Sequence, residues 1–168
     1  MATTYEPIAT TTLASANGTI SFTSISSAHT DLRISFTMNG QSVASGVPIL
    51  QYNSDTGTNY SLIRLAGQGS GAYSTADTGA SSISLASYTA PQTSTPTFIT
   101  IDIFSYAGST YKTNLITFNN DYNGSGSVEY AVGLWRSTSA ITSIQLKASG
   151  SNTFNIGTTA TLYGIKAA

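Results

Sequence analysis

The chain has 168 residues, 8% of them charged, and a formal net charge of -1, whereas soluble proteins average about 25% charged residues. Without a basic field we expect neither nucleic acid nor a membrane as a partner. Without cysteine the chain forms no disulfide and no thiolate metal site.

Segments in which apolar and polar residues alternate with period 2 recur throughout the chain, and no stretch sustains a helical period. We therefore predict one all-β domain spanning residues 1–168. Residues 1–12 are polar, Thr-rich and contain Pro7, so they are either an N-terminal arm or a first strand. The predicted strands that follow are residues 19–25, 31–38, 47–52, 61–66, 82–88, 97–104, 111–118, 127–135, 141–147 and 159–165.

Turn-forming clusters rich in Gly, Asn, Asp and Ser separate these strands. Residues 67–78 and 88–96 are richer still in breakers and predict two longer surface loops. Strands spaced by about ten residues favour an antiparallel two-sheet sandwich with a jelly-roll-like arrangement.

Residues that could perform catalysis or bind a metal are sparse. His29 is the only histidine, and a turn or a pairing with Asp31 explains its position. The acidic residues are scattered singly, and no GxSxG elbow is present. Residues 53–59 and 119–124 carry oxygen donors of the calcium-binding type, but one carboxylate in each favours a simple Asx turn. We predict no enzymatic activity, no cofactor and no metal.

Tyrosines near predicted turns are the remaining candidates for binding. A tyrosine at a loop end can stack on a sugar ring, although its hydroxyl can equally reach water at the edge of a core. Trp135 is predicted to pack at a strand end. The candidate glycan-binding residues are Tyr52, Asp55, Tyr60, Asp121 and Tyr122.

Six motifs occur in order along the chain: YEPIATTTL, SISSAHTDLRI, QYNSDTGTNYS, IDIFSYAGSTYK, GLWRSTSAITSI and TATLYGI. Together, from Tyr5 to Ile165, they resemble a family of small β-rich virion proteins of tailed bacteriophages, including phages of cyanobacteria and other aquatic hosts. Residues 67–96 resemble the family least. Members are described as structural, tail-fibre or capsid-associated proteins, so the resemblance implies virion assembly or adhesion and no catalytic residue.

The leading hypothesis that this resemblance implies is a capsid decoration, or cement, protein on the virion surface, assembled in the host cytoplasm. It would bind the major capsid protein, stabilise the shell and form a homotrimer at threefold positions. The candidate partner-contact residues are Tyr5, Glu6, Pro7 and Ile8. The alternative is a tail-fibre or receptor-binding protein that recognises host glycans through the tyrosine-containing loops.

Overall fold

The chain folds into two antiparallel β-sheets, which confirms the predicted all-β sandwich. The computed structural model describes residues 4–40, 46–69, 71–86 and 95–166. Its strands are β1 (Tyr5–Thr12), β2 (Thr19–Phe22), β3 (Asp31–Met38), β4 (Pro48–Tyr52), β5 (Tyr60–Gln68), β6 (Gly71–Ala80), β7 (Ile83–Ser84), β8 (Thr97–Ile103), β9 (Lys112–Asp121), β10 (Gly126–Trp135), β11 (Ile144–Ala148) and β12 (Thr159–Ile165).

The strands divide unequally between the two sheets. The large sheet has the order β1-β12-β3-β8-β9-β10-β5-β6, and the small sheet has the order β2-β11-β4-β7. The small sheet packs on the inner face of the large one, and the apolar core lies between them. The outer face of the large sheet has no covering layer within the described residues.

Strand β3 shows how the sequence specifies the inner face. Its alternate residues are fully buried, as the period-2 pattern predicts: Leu32, Ile34, Phe36 and Met38. Phe154 packs its ring edge against Phe36, with 5.4 Å between the ring centroids. The neighbouring strands β12 and β8 continue this apolar layer on either side.

Residues 5–12 form strand β1, which pairs with β12, so they are a first strand and not a free arm. The register shifts between Pro7 and Ala9, and Ile8 is the extra residue of this bulge. Proline lacks a backbone N–H, and a bulge twists the strand. Both features make the open edge of β1 a poor partner for a further strand.

Residues 71–80 form strand β6, so the loop predicted over residues 67–78 is wrong. Each residue from Gly71 to Thr78 pairs with one on β5, and this backbone pairing does not require large side chains. Gly79, with φ of +67°, takes the extra position of a bulge at the strand end. In the other predicted loop, residues 88–94 lie outside the described residues.

Most of the other strand predictions are confirmed within a few residues at each end. The predicted strand over residues 82–88 is shorter, because only Ile83–Ser84 is a strand and residues 87 and 88 are not described. The described part of the chain contains no helix long and apolar enough to cross a membrane.

Candidate interaction surface

The outer face of the large sheet carries large apolar side chains on three adjacent strands. They are between 37 and 65% exposed, and we call them the apolar face: Ile63, Leu65, Leu115, Val128, Tyr130 and Val132. Tyr130 lies opposite Leu65, and Val132 lies between Ile63 and Leu115. Side chains opposite one another on neighbouring strands have Cβ atoms about 5 Å apart. The six side chains therefore form one continuous surface.

Uncharged residues occupy the outward positions around the apolar face on its own strands and on β6, whereas on β8 the charged Asp102 lies opposite Leu115. The remaining outward positions of the four strands β9, β10, β5 and β6 are Ser61, Gly67, Ala72, Ser74, Ala76, Thr78, Thr113, Thr117, Asn119 and Leu134. On these four strands the outward-facing carboxylate is that of Asp121, the last residue of β9. A surface that meets water usually mixes charges of both signs, so this composition is typical of a surface that meets another protein.

A buried ion pair lies beneath the apolar face. Arg64 and Glu129 point inward from β5 and β10, and their side chains are 3% and 1% exposed. Arg64 Nε lies 3.1 Å from Glu129 Oε2. Ser127 Oγ donates to Glu129 Oε1 at 3.2 Å, and Arg64 Nη2 donates to the carbonyl oxygen of Ser84. Buried charges are tolerated when they are paired and hydrogen-bonded in this way.

Two shallow cavities flank the pair formed by Leu65 and Tyr130. The cavity that includes Leu115 and Val132 has a volume of about 220 Å³, and the cavity that includes Ala72 has a volume of about 260 Å³. Because one water molecule occupies about 30 Å³ of liquid, each cavity has room for a large side chain. The apolar face is thus a ridge with a hollow on each side.

The other half of the outer face, on β1, β12, β3 and β8, carries mostly hydroxyl and charged groups, with Phe98 on β8 as an exposed apolar side chain. Its hydrogen-bonded threonine pairs are Thr10 with Thr161 at 3.1 Å and Thr12 with Thr159 at 2.9 Å. Arg33 donates two hydrogen bonds to Asp102, of 2.5 and 2.7 Å. We call these six residues the hydroxyl face. Its groups bond to one another and remain compatible with water.

The four candidate partner-contact residues lie on β1, at the far edge of the large sheet from β6. All four, Tyr5, Glu6, Pro7 and Ile8, are exposed. The Arg33 guanidinium lies over the Tyr5 ring, 5.6 Å from its centroid, and donates to the Tyr5 hydroxyl at 3.3 Å. Their role in partner contact stays a prediction.

Glu6 is held by two basic side chains. Its Oε2 atom lies 2.8 Å from Lys166 Nζ and 3.3 Å from His29 Nε2, and the hydrogen bonds from Lys166 and then His29 lower the pKa of Glu6. Of the two explanations offered for His29, the pairing with Asp31 is wrong, because His29 contacts Glu6 and the Asp31 carboxylate accepts from the Ser105 amide at 2.7 Å.

Tyr52 and Tyr60 are fully buried, so the expectation that they contact a sugar is wrong. Both rings pack against Trp135, at centroid distances of 5.6 and 6.4 Å, which confirms the predicted packing of Trp135 at a strand end. Asn114 Nδ2 donates to the Tyr52 hydroxyl at 3.0 Å. Burial raises the pKa of both tyrosines, that of Tyr60 to about 12.

Asp55 stabilises the turn between β4 and β5. One carboxylate oxygen accepts from Trp135 Nε1 at 2.7 Å and from Asn59 Nδ2 at 2.9 Å, and the other accepts from the Gly57 amide at 2.8 Å. These hydrogen bonds, that of Trp135 foremost, hold the pKa of Asp55 below its ordinary value. Both carboxylate oxygens are thus engaged within the protein.

Asp121 and Tyr122 lie at the β9–β10 hairpin, at the opposite end of β10 from Asp55. The ten residues of β10 span about 30 Å, so the two groups do not form one site. Asp121 accepts from the Gly124 amide at 2.8 Å, and the Tyr122 hydroxyl accepts from Asn120 at 2.9 Å. A cavity of about 410 Å³ beside them is lined by Gly67, Gly69, Asn120, Asp121 and residues 124–128. Glycan binding by Asp121 and Tyr122 stays a prediction.

No family model, no curated protein and no solved structure matches this chain. In the described ranges, no group of three or more His, Asp or Glu side chains could hold a metal ion. The surface chemistry and the sequence motifs are therefore the basis for a functional proposal.

Sequence reasoning missed the apolar face, although its signal is present. Strand β5 contains Leu-Ile-Arg-Leu-Ala and strand β10 contains Val-Glu-Tyr-Ala-Val, so apolar residues occur on both faces of each strand. Strands that are apolar on both faces are typical of sheets covered on both sides. Each strand also has one charged residue, Arg64 in β5 and Glu129 in β10. Because charged side chains normally point outward, the sequence alone suggests that these two residues face water and that their apolar neighbours face the core, which is the opposite of the observed arrangement.

Proposed function

We propose that this chain is a structural protein of a bacteriophage virion, a capsid decoration protein that binds the major capsid protein and stabilises the shell. The apolar face is the observation that carries the proposal, because contiguous exposed apolar patches mark protein interaction sites. The six sequence motifs that resemble virion proteins of tailed phages supply the biological setting.

The scarcity of charge supports a role in a particle that meets changing ionic strength. Contacts between exposed charges weaken as salt is added, whereas apolar contacts do not depend on them. A protein that binds only the assembled shell also shifts assembly toward the shell, by about 2.7 kcal/mol per site when its concentration is 100 times its dissociation constant.

In this proposal the decoration protein is a homotrimer at threefold positions of the capsid surface, with the apolar faces inside the trimer. The β1 edge, with Tyr5 and Ile8 exposed, would then contact the major capsid protein. Assembly takes place in the host cytoplasm, where a fold without disulfides forms readily.

The number of copies per particle tests the proposal. Purified particles are digested, and peptides of this chain and of the major capsid protein are quantified by mass spectrometry against labelled standards. Hundreds of copies are the expected result. A few to a few tens would locate the chain on the tail and favour the receptor-binding alternative, and its absence would overturn both.

A binding experiment tests the role of the β1 edge. Shells prepared without this protein are mixed with the purified chain or with Ile8→Thr, and bound protein is measured after sedimentation. Ile8→Thr is expected to bind less tightly, because it removes an apolar contact, while Tyr111→Thr at a separate exposed position serves as the control. Equal binding by Ile8→Thr and Tyr111→Thr would show that β1 does not contact the shell.

A further inference from the structure

We infer that the apolar face is covered by other copies of this chain, which pack against it through their own apolar faces. The inference rests on the same surface as the proposed function and names the partner there. It follows from the area, the charge, the shape and the edge of this surface.

The area fits a protein interface. At the exposures of 37 to 65%, the six side chains present an apolar area on the order of 600 Å², at the upper end of the largest patch on a typical monomer. A stable interface buries about 800 Å² per partner. The apolar face together with the adjoining outward residues of β6 therefore provides the area that association requires.

The charge favours a copy of the same face as the occupant. Two such faces meet without like-charge repulsion among their own residues, and the charged neighbour on β8, Asp102 opposite Leu115, already accepts two hydrogen bonds from Arg33. If the hydroxyl face of a neighbour were the occupant, Arg33 and Asp102 would lose their partial access to water, since their side chains are 38% and 16% exposed. A self-contact avoids that desolvation.

The shape of the surface is complementary to itself. Leu65 and Tyr130 form a ridge between two hollows of about 220 and 260 Å³. The outward side chains of β6, among them Ala72 and Ala76, are small and leave the second hollow open on that side. A ridge of one copy can fill the hollow of another, and aromatic side chains seated in pockets dominate many interfaces.

The free edge beside the apolar face differs from the edge at β1. Strand β6 has ten residues and, among the described parts of the chain, one hydrogen-bonded neighbour, β5. It contains no proline and no lysine, Asp77 is its only charged residue, and its bulge is confined to the end of the strand at Gly79, whereas Pro7 and a bulge interrupt β1. Exposed edges without such protection attract further strands. A second copy over the apolar face would shield β6 as well.

Sedimentation velocity of the purified chain tests the inference. The measurement is made at about 1 µM and about 100 µM, because interfaces of standard size bind with micromolar or tighter affinity and the assembly should therefore form within this range. The expected species is two or three times the monomer mass of 17.4 kDa. The variant Ile63→Thr/Tyr130→Thr should sediment as a monomer, since loss of one hot-spot side chain weakens binding at least about 30-fold.

A matched control has the same substitutions at equally exposed sites outside the apolar face. Tyr111 is 56% exposed, as Tyr130 is, and Ile156 is 64% exposed against 65% for Ile63. Ile156→Thr/Tyr111→Thr should retain the assembled mass. Should Ile63→Thr/Tyr130→Thr fail to fold, hydrogen exchange of the native chain decides, because self-association protects the amides of β5 and β6 more at the higher concentration.

The outcomes separate this inference from the proposed function. A native chain that stays monomeric at both concentrations overturns the inference, even if it binds shells and is present in hundreds of copies per particle. A chain that assembles through the apolar face but is absent from particles supports the inference and overturns the proposed function.

Discussion

The hydroxyl face and the apolar face lie on the same side of one sheet, yet they distribute polarity in opposite ways. On the hydroxyl face, Arg33 and Asp102 point outward and the apolar residues of β3 point into the core. Beneath the apolar face, Arg64 and Glu129 point inward and the large apolar side chains point outward. A single sheet therefore contains one half suited to water and one half suited to a protein.

The charged side chains of β5 and β10 have almost no contact with water, so they do not contribute to solubility. Inward charges are expensive to desolvate, and their mutual attraction and hydrogen bonds offset that penalty only when both partners are present. The outward charges on β3 and β8, Arg33 and Asp102, keep partial access to water, so each depends less on its partner. Substitutions in the two ion pairs should accordingly have very different effects.

The largest effect is expected from separating the buried charges. Glu129→Leu leaves Arg64 buried without its partner and should lower the free energy of unfolding by about 3–5 kcal/mol, measured by urea denaturation. The double variant Arg64→Met/Glu129→Leu removes both charges and should recover most of the loss. If the double variant were as unstable as the single one, the charges would not explain the effect.

An intermediate effect is expected from Asp55, below the end of β10. Hydrogen bonds lower its pKa in the folded state, so the unfolded chain binds this proton at higher pH than the folded chain does. The stabilisation is present above about pH 4 and is lost as the pH falls through the lowered pKa. Asp55→Asn should be less stable by about 1 kcal/mol at neutral pH, and its stability should depend less on acid.

Urea denaturation at neutral pH and in acid measures this difference, with Glu6→Gln as the matched carboxylate at the β1 edge. Glu6 is held by Lys166 and His29 in an exposed position, so its loss should change stability less than Asp55→Asn does. An equal acid dependence in native protein and Asp55→Asn would contradict the assigned role of Asp55.

The smallest effect is expected from the ion pair of the hydroxyl face. Asp102→Asn should change the free energy of unfolding by less than about 1 kcal/mol, because the Arg33 side chain is 38% exposed and stays hydrated without its partner. The same urea measurement applies. A loss comparable to that of Glu129→Leu would show that the two halves do not differ in the way described.

Strands with strong alternation could be predicted from the sequence, and strands held by backbone pairing could not. Residues 31–38 and 159–165 were predicted with the bounds that β3 and β12 have, since one apolar stripe on each must face the core. Strand β6 has no such stripe, and it is a strand because its backbone pairs with β5. Its Gly, Ser and Thr content therefore indicated a loop.

The candidate site residues were harder to predict, because their surroundings come from distant parts of the chain. Tyr52 and Tyr60 flank a turn, which suggested exposure, but Asn114 bonds to Tyr52 from 62 residues away and Trp135 bonds to Asp55 from 80 residues away. Those contacts enclose both rings. The apolar face was missed for the same reason, since the direction of each side chain depends on the sheet that covers it.

The position of β12 between β1 and β3 has a consequence for how the chain folds. Thr10 and Thr161 meet across 151 residues of sequence, and closing a loop of that length is entropically unfavourable and makes folding slow. Until β12 has been synthesised, β3 has an open edge while the apolar face is also exposed. We expect the nascent chain to be most prone to aggregate at that stage, so a longer interval before β12 emerges should lower the yield of folded protein.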